Sequence, residues 1–374
     1  YKLLGFQNKK DSDKWLIFAD NLRKEGQFDL SIKSHHYMLE NLDQSNPQVV
    51  GKILLGLGKS YEDQIIKKQS NLKFVKWFPE NHFFSNHFIY APDINNAPLA
   101  NSLEHYQSLL ALLPNNRTTA TVHYRLAQIQ SRIMRDFVGA KSSYETALNT
   151  NPSSQLRELI HSDIGKLYIY DGKYGEAKSY FRPEQNEKIN IRTIEYVNSL
   201  LYGLEIDSAM TYLDEIILNV DTNHKYFNDL FELHDLIANY YVDGTKDDKS
   251  AFKAFFKAES LINEYKIKEA VEVLEMIRLN YSDSLIYPIV TLRLAFISID
   301  LMQYEKSIQY ALAIEETSLK DRGLTLAAEI EENYLSNNEN ALKYYHRVLS
   351  ECSSSLLADP VRLHVRRISK PRES

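Results

Sequence analysis

Several short stretches carry residue types that could do chemistry. GLGKS (Gly56 to Ser60) ends as a phosphate-binding loop does, but Ile53 stands where the first glycine of that loop belongs. The surrounding run also reads as mid-helix, where backbone N–H groups are already bonded and cannot cradle a phosphate. Small residues at a helix crossing are the better reading. VDGTKDD (Val242 to Asp248) lacks the alternating oxygen ligands of a calcium loop. It reads as a solvated turn in which Asp243-Gly244 supplies an unusual backbone angle. His82 and His87 are five apart, outside the i, i+4 spacing that puts two ligands on one helix face, and the adjacent His35 and His36 diverge. No metal or cofactor is expected. The single cysteine, Cys352, excludes internal disulfides and cysteine-rich zinc sites. No nucleophile and base stand in a recognisable spacing, so no catalytic residue is nominated and the chain is read as a non-enzyme.

Two stretches are candidates for contact with a partner. FVKWFPENHFFSNHFIY (Phe74 to Tyr90) is dense in aromatics, and Trp77, Phe78, Phe83, Phe84 and Phe88 are its candidate partner-binding residues. Phe74, Trp77 and Phe78 fall at i, i+3 and i+4, which predicts one helical face ended by Pro79, with irregular chain as far as Pro92. Most of these rings are expected to pack back on the protein, with Trp77 or Phe84 exposed. The second stretch is VRLHVRRISKPR, where Arg366 and Arg367 are the candidates among five cations. Cations there could hold an acidic partner or anionic lipid, or could answer the dipole at a helix C-terminus.

The elements that position these residues follow from composition and period. The 374 residues are 44% hydrophobic and 25% charged, with 12 Gly, 10 Pro and 25 Tyr, so the punctuation that many short strands need is scarce and helices are favoured. A net charge of −6 gives no basic footprint for nucleic acid. No apolar run approaches the roughly 18 residues that span a bilayer. The chain begins at Tyr1, so its start reads as processed or truncated, and membrane association is expected only peripherally or through a lost N-terminal anchor.

An internal repeat is present. IGKLYIYDGKYGEAKSYF places Gly165 and Tyr168 three apart, then Gly172, Tyr174, Ala177 and Phe181. The register recurs at Ala19, Leu22, Gly26 and Phe28, at Ala140, Tyr144 and Ala147, and more weakly around Ala209, Ala270, Ser307 and Ala341. Small residues let two antiparallel helices approach while large ones fill the gaps, and each pair must stack on neighbours to bury its apolar face. One copy is split: LLGLGKSYED supplies a first helix, and LEHYQSLLALLPNN, with Ser102 at the small position, supplies the second after an insertion at about 71–97.

This pattern resembles the tetratricopeptide repeat superfamily. The resemblance implies an all-α, right-handed α-solenoid of stacked antiparallel helix pairs, about seven repeats with an irregular aromatic insert. The expected organisation is an N-terminal array over 1–182 carrying the insert, a hinge over 183–190 and a C-terminal array over 191–374 with a capping helix. The C-terminal third, from KAESLINEYKIKEAVEVLEMIRLNYSDSLIYPIV to LLADPVRLHVRRI, resembles envelope-associated members from Bacteroidetes-type bacteria. That implies a protein-interaction scaffold or adaptor, a subunit of a larger bacterial assembly, with periplasm or cell envelope favoured over cytoplasm. A membrane-peripheral subunit and an enzyme with a site in the groove are the alternatives. Some tetratricopeptide domains clamp a chaperone's C-terminal carboxylate with Lys and Asn; the equivalent places here hold Leu16 and Asp20, so that clamp is not implied.

Overall fold

The computed structural model describes residues 12–41, 46–66, 72–78, 81–84, 97–183 and 188–369. Every regular element among them is helical. Contacts divide the chain into two compact units, Tyr1–Ser70 with Ile89–Leu167, and Asn71–Phe88 with Tyr168–Ser374. The contact division falls near Leu167, whereas the sequence places a hinge at 183–190, and the described insert residues 72–78 and 81–84 belong with the second unit although they interrupt the first in sequence. Residues 184–187 of the expected hinge lie outside the described residues.

In the first unit, α1 (Ser12–Lys24) packs on α2 (Phe28–Asn41), α3 (Pro47–Ile66) on α4 (Ala97–Leu112), and α5 (Arg117–Ile129) on α6 (Phe137–Asn149), while α7 (Ser154–Tyr170) begins there. GLGKS lies within α3, and its glycines are explained by close approach. A Cβ on Gly58 would stand 2.2 Å from Cε1 of Tyr106, and one on Gly56 would stand 2.1 Å from Nε2 of His35. Across the same crossing Ser102 donates its hydroxyl to the Gly58 carbonyl at 3.0 Å, so the split repeat closes as one helix pair. Tyr106, fully buried, donates its hydroxyl to Glu62 at 2.7 Å, and Arg125 donates to the same carboxylate oxygen at 2.7 Å.

In the second unit, α8 (Tyr174–Phe181) ends two residues before Pro183 and packs on α9 (Ile191–Tyr202). Then α9 pairs with α10 (Ile206–Ile217), α12 (Lys246–Asn263) with α13 (Ile267–Asn280), α14 (Tyr287–Asp300) with α15 (Tyr304–Leu312), and α16 (Lys320–Asn333) with α17 (Asn338–Glu351). Two further helices complete the unit: α11 (Phe227–Ile237), which packs on α10 and runs into a π turn at Ala238–Val242, and α18 (Ala358–Ile368), which packs on α17.

Five turns close in one way. Gly26, Gly172, Leu204, Tyr265 and Met302 all take left-handed φ, from 58° to 81°. The residue after each donates at 2.8 Å to the carbonyl five positions back, as Gln27 to Leu22, Lys173 to Tyr168, Glu205 to Leu200, Lys266 to Leu261 and Gln303 to Ser298. This is the Schellman closure, which satisfies carbonyls that the helix end would otherwise orphan. The turn at Gly244 is different. Its φ is not left-handed, which corrects the expectation for Asp243-Gly244; glycine is needed because a Cβ would stand 2.8 Å from the Tyr240 carbonyl oxygen and 2.7 Å from the Asp248 Cβ.

Candidate functional site

Residues 72–78 and 81–84 are not helical; they run as irregular chain through the second unit. The carboxylate of Glu329, on α16 and fully buried, accepts from the backbone N–H groups of Lys73, of Phe74 at 3.0 Å and of Val75 at 3.0 Å. Here lies the reason that Phe74, Trp77 and Phe78 do not form the predicted helical face. Backbone donors spent on Glu329 are no longer available to a helix, and one buried carboxylate bonded three times is a stronger anchor than a short isolated turn. Burial pushes the Glu329 carboxyl above its ordinary value, and the three N–H bonds pull it part of the way back.

The described aromatic side chains of the insert are seated against the second unit. Phe74 lies edge-on to Tyr345 and His364, ring centroids 6.2 and 5.2 Å away. Trp77 lies over the Arg293 guanidinium at 4.7 Å and beside Phe255 and Phe296. Arg293 in turn binds Glu259 through two hydrogen bonds of 2.8 and 3.0 Å, with both side chains buried. Phe78, at φ 39°, stacks on Phe84 with centroids 4.0 Å apart.

A tight turn follows. The Phe84 N–H donates to the Asn81 carbonyl at 3.2 Å, and the Asn81 amide donates to Glu232 at 2.7 Å. His82 Nδ1 lies 2.5 Å from Asp229, and its ring sits edge-on to Tyr226. The Tyr202 hydroxyl donates to the Phe83 carbonyl at 3.4 Å.

Of the candidate partner contacts, Trp77, Phe78, Phe83 and Phe84 come together in this one groove. The expected exposure of Trp77 or Phe84 is corrected: Phe83 and Phe84 are each 3% exposed, and Trp77 is half-buried. Their rings are covered because helices α9, α11, α12, α14 and α16 supply apolar neighbours that water cannot match. Phe88 and His87 lie outside the described residues. Arg366 and Arg367 sit exposed in the last turn of α18, and Arg367 lies 2.9 Å from Nδ1 of His364, the residue whose ring seats Phe74.

Sequence reasoning missed Glu329, Arg293, Glu259, Asp229 and Glu232. A signal existed for three of them. Arg293 is the single charge in the apolar run YPIVTLRLAFISI, and Glu259 and Glu329 each follow a fully buried alanine, Ala258 and Ala328, within a first helix. Charges in such places are seldom buried without a partner.

The helix pairs, the small residues at their crossings and the repeated Schellman turns carry the sequence pattern into three dimensions. The chain resembles the tetratricopeptide repeat superfamily. No family model matches it. Three tetratricopeptide-related or similar crystal structures align over most of its length. The C-terminal part of a tetratricopeptide repeat-containing protein from Cytophaga hutchinsonii is 12% identical, covering 92% of this chain and 98% of that one with a TM-score of 0.38. The apo form of RapI is 12% identical, covering 95% and 97%, also at 0.38. The tetratricopeptide domain of P58(IPK) is 13% identical, covering 96% and 98%, at 0.25. At these TM-scores the tetratricopeptide-like reading stands on the packing within this chain. A periplasmic acid trehalase of Saccharomyces cerevisiae is 24% identical over 206 residues, 43% of this chain. The match spans 17% of that relative's length.

Proposed function

We propose that this chain is a non-catalytic protein-interaction scaffold whose second unit receives extended polypeptide. The observation that carries this is the use of the groove's buried polar groups: Glu329 is satisfied by three backbone N–H groups of an irregular segment, and Arg293 by an aromatic face and Glu259. Those are the contacts of a peptide-recognition surface, in which main-chain bonds supply affinity and ring pockets supply specificity. The resemblance of the C-terminal third to envelope-associated tetratricopeptide proteins supports a place as subunit of a larger bacterial assembly, in the periplasm or cell envelope.

The test is crosslinking and co-purification from the native source, comparing the natural chain with Glu329→Ala. A stoichiometric protein partner whose yield falls in the variant supports the reading. A chain that elutes and crosslinks alone at its native concentration sinks it.

A further inference from the structure

We infer that the segment running through the second unit, residues 72–78 and 81–84, is an exchangeable occupant of the groove. The external ligand it stands in for is an extended protein segment with three consecutive free backbone N–H groups, the middle one on an aromatic residue, and further aromatics at the spacing of Trp77 and Phe78 from it. This rests on the scaffold reading and adds a partner chemistry and a competing state to it.

Three observations lead here. First, the groove is not self-sufficient. The three hydrogen bonds to Glu329 come from the insert, so an empty groove would open that carboxylate to water in place of three backbone donors, and Arg293 would lose the ring that covers it. Second, Glu329 reads only main chain, which any non-proline sequence can offer. An incoming segment repeats those bonds whatever side chains it carries at the donor positions.

Third, the insert fits imperfectly. The buried Trp77 indole N–H has no hydrogen-bond acceptor among the described residues. Trp77 and Phe78 line a cavity of about 220 Å3, with Glu232, Asp235 and Arg322 also in its lining. A competing segment that fills this space, or brings an acceptor to the indole's position, makes contacts the insert leaves unmade. It needs that advantage, because an occupant tethered at both ends acts at an effective concentration on the order of millimolar.

The experiment uses the full chain and a fluorescein-labelled peptide with the sequence of residues 72–84. Phe74→Ala with Trp77→Ala weakens the internal occupant, and the peptide is expected to bind this variant at least about 100-fold more tightly than the natural chain. Adding Glu329→Ala should abolish the gain. Equal weak binding to both chains, or a gain that survives Glu329→Ala, overturns the inference. So does a doubling of mass by light scattering without peptide, which would show the insert exchanging between copies.

Should the double variant fail to fold by circular dichroism, amide exchange on the natural chain decides. The N–H groups of Lys73, Phe74 and Val75 are expected to exchange through local opening, well before those of α14. Exchange of all of them only with global unfolding overturns the inference. Failure here, with a partner still captured from the native source, removes exchange and leaves the scaffold; loss of that partner removes the scaffold reading itself.

Discussion

The guanidinium of Arg293 lies 4.7 Å from the ring centroid of Trp77 and is held there by two hydrogen bonds to Glu259. A buried ion pair of this kind costs desolvation on both sides, and its geometry must repay that cost. Arg293→Ala leaves Glu259 charged and buried, and is expected to destabilise the second unit by about 3–5 kcal/mol in urea unfolding. The double replacement Arg293→Met with Glu259→Leu should recover most of that loss. A double variant as unstable as the single one would show that the pair itself, rather than the buried charge deprived of Arg293, holds the groove.

The glycines of GLGKS give a contrast with Gly175. Gly58→Ala drives a Cβ into the rigid ring of Tyr106, and is expected to lower stability by about 1–3 kcal/mol despite alanine's better helix propensity. A Cβ on Gly175, in α8, meets nothing within 4 Å, so Gly175→Ala is expected to raise stability by about 0.5–1 kcal/mol. Thermal unfolding of the two variants checks both signs.

Met302 holds a left-handed φ of 58° and is 61% exposed, so its side chain buries little in return for the strained backbone. Met302→Gly is expected to stabilise by roughly 1 kcal/mol, since glycine takes this conformation without the Cβ penalty. A lower melting temperature would mean that the exposed thioether contributes more than the turn loses.

The pH response should oppose itself between two named groups. Burial lowers His35 to about 4, and its Nδ1 lies 2.9 Å from the Ser31 carbonyl. The unfolded chain therefore binds more protons than the folded one between about 4 and 6.5, and stability falls as pH drops through that window, by up to about 3 kcal/mol. Burial raises Asp300 to about 6, with nearby Arg293 acting against it. Its contribution is present below about pH 4 and is lost as pH rises towards 6, so Asp300→Asn is expected to stabilise at pH 7. The two tryptophans, Trp15 in α1 and Trp77 in the insert, report the two units when one is changed to Phe. Trp15 emission in urea at pH 7 and pH 4.5, with and without His35→Gln, isolates the histidine; no difference between these chains would remove it from the account.

Much of the fold was legible because helix pairing is written in local spacing. Ala19, Gly58, Ser102, Ala140 and Ala270 mark places where backbones meet, and a small side chain is the local requirement for that meeting. Glycine at the turn is a weaker mark. Gly26 and Gly172 display it, whereas Leu204, Tyr265 and Met302 close the same turn at left-handed φ without a glycine, and the repeat is fainter there for that reason.

The sequence by itself determined that the chain is built of stacked helix pairs, that one pair is split and that the inserted stretch is aromatic. Only the tertiary structure decided that the described part of the insert lies in the second unit, on Glu329, and that its described rings are seated rather than displayed. The physical reason is the nature of the anchor. It joins a carboxylate to backbone N–H groups some 255 residues away in sequence. Every non-proline residue carries the same N–H, so no pattern of side chains marks the residues that supply it.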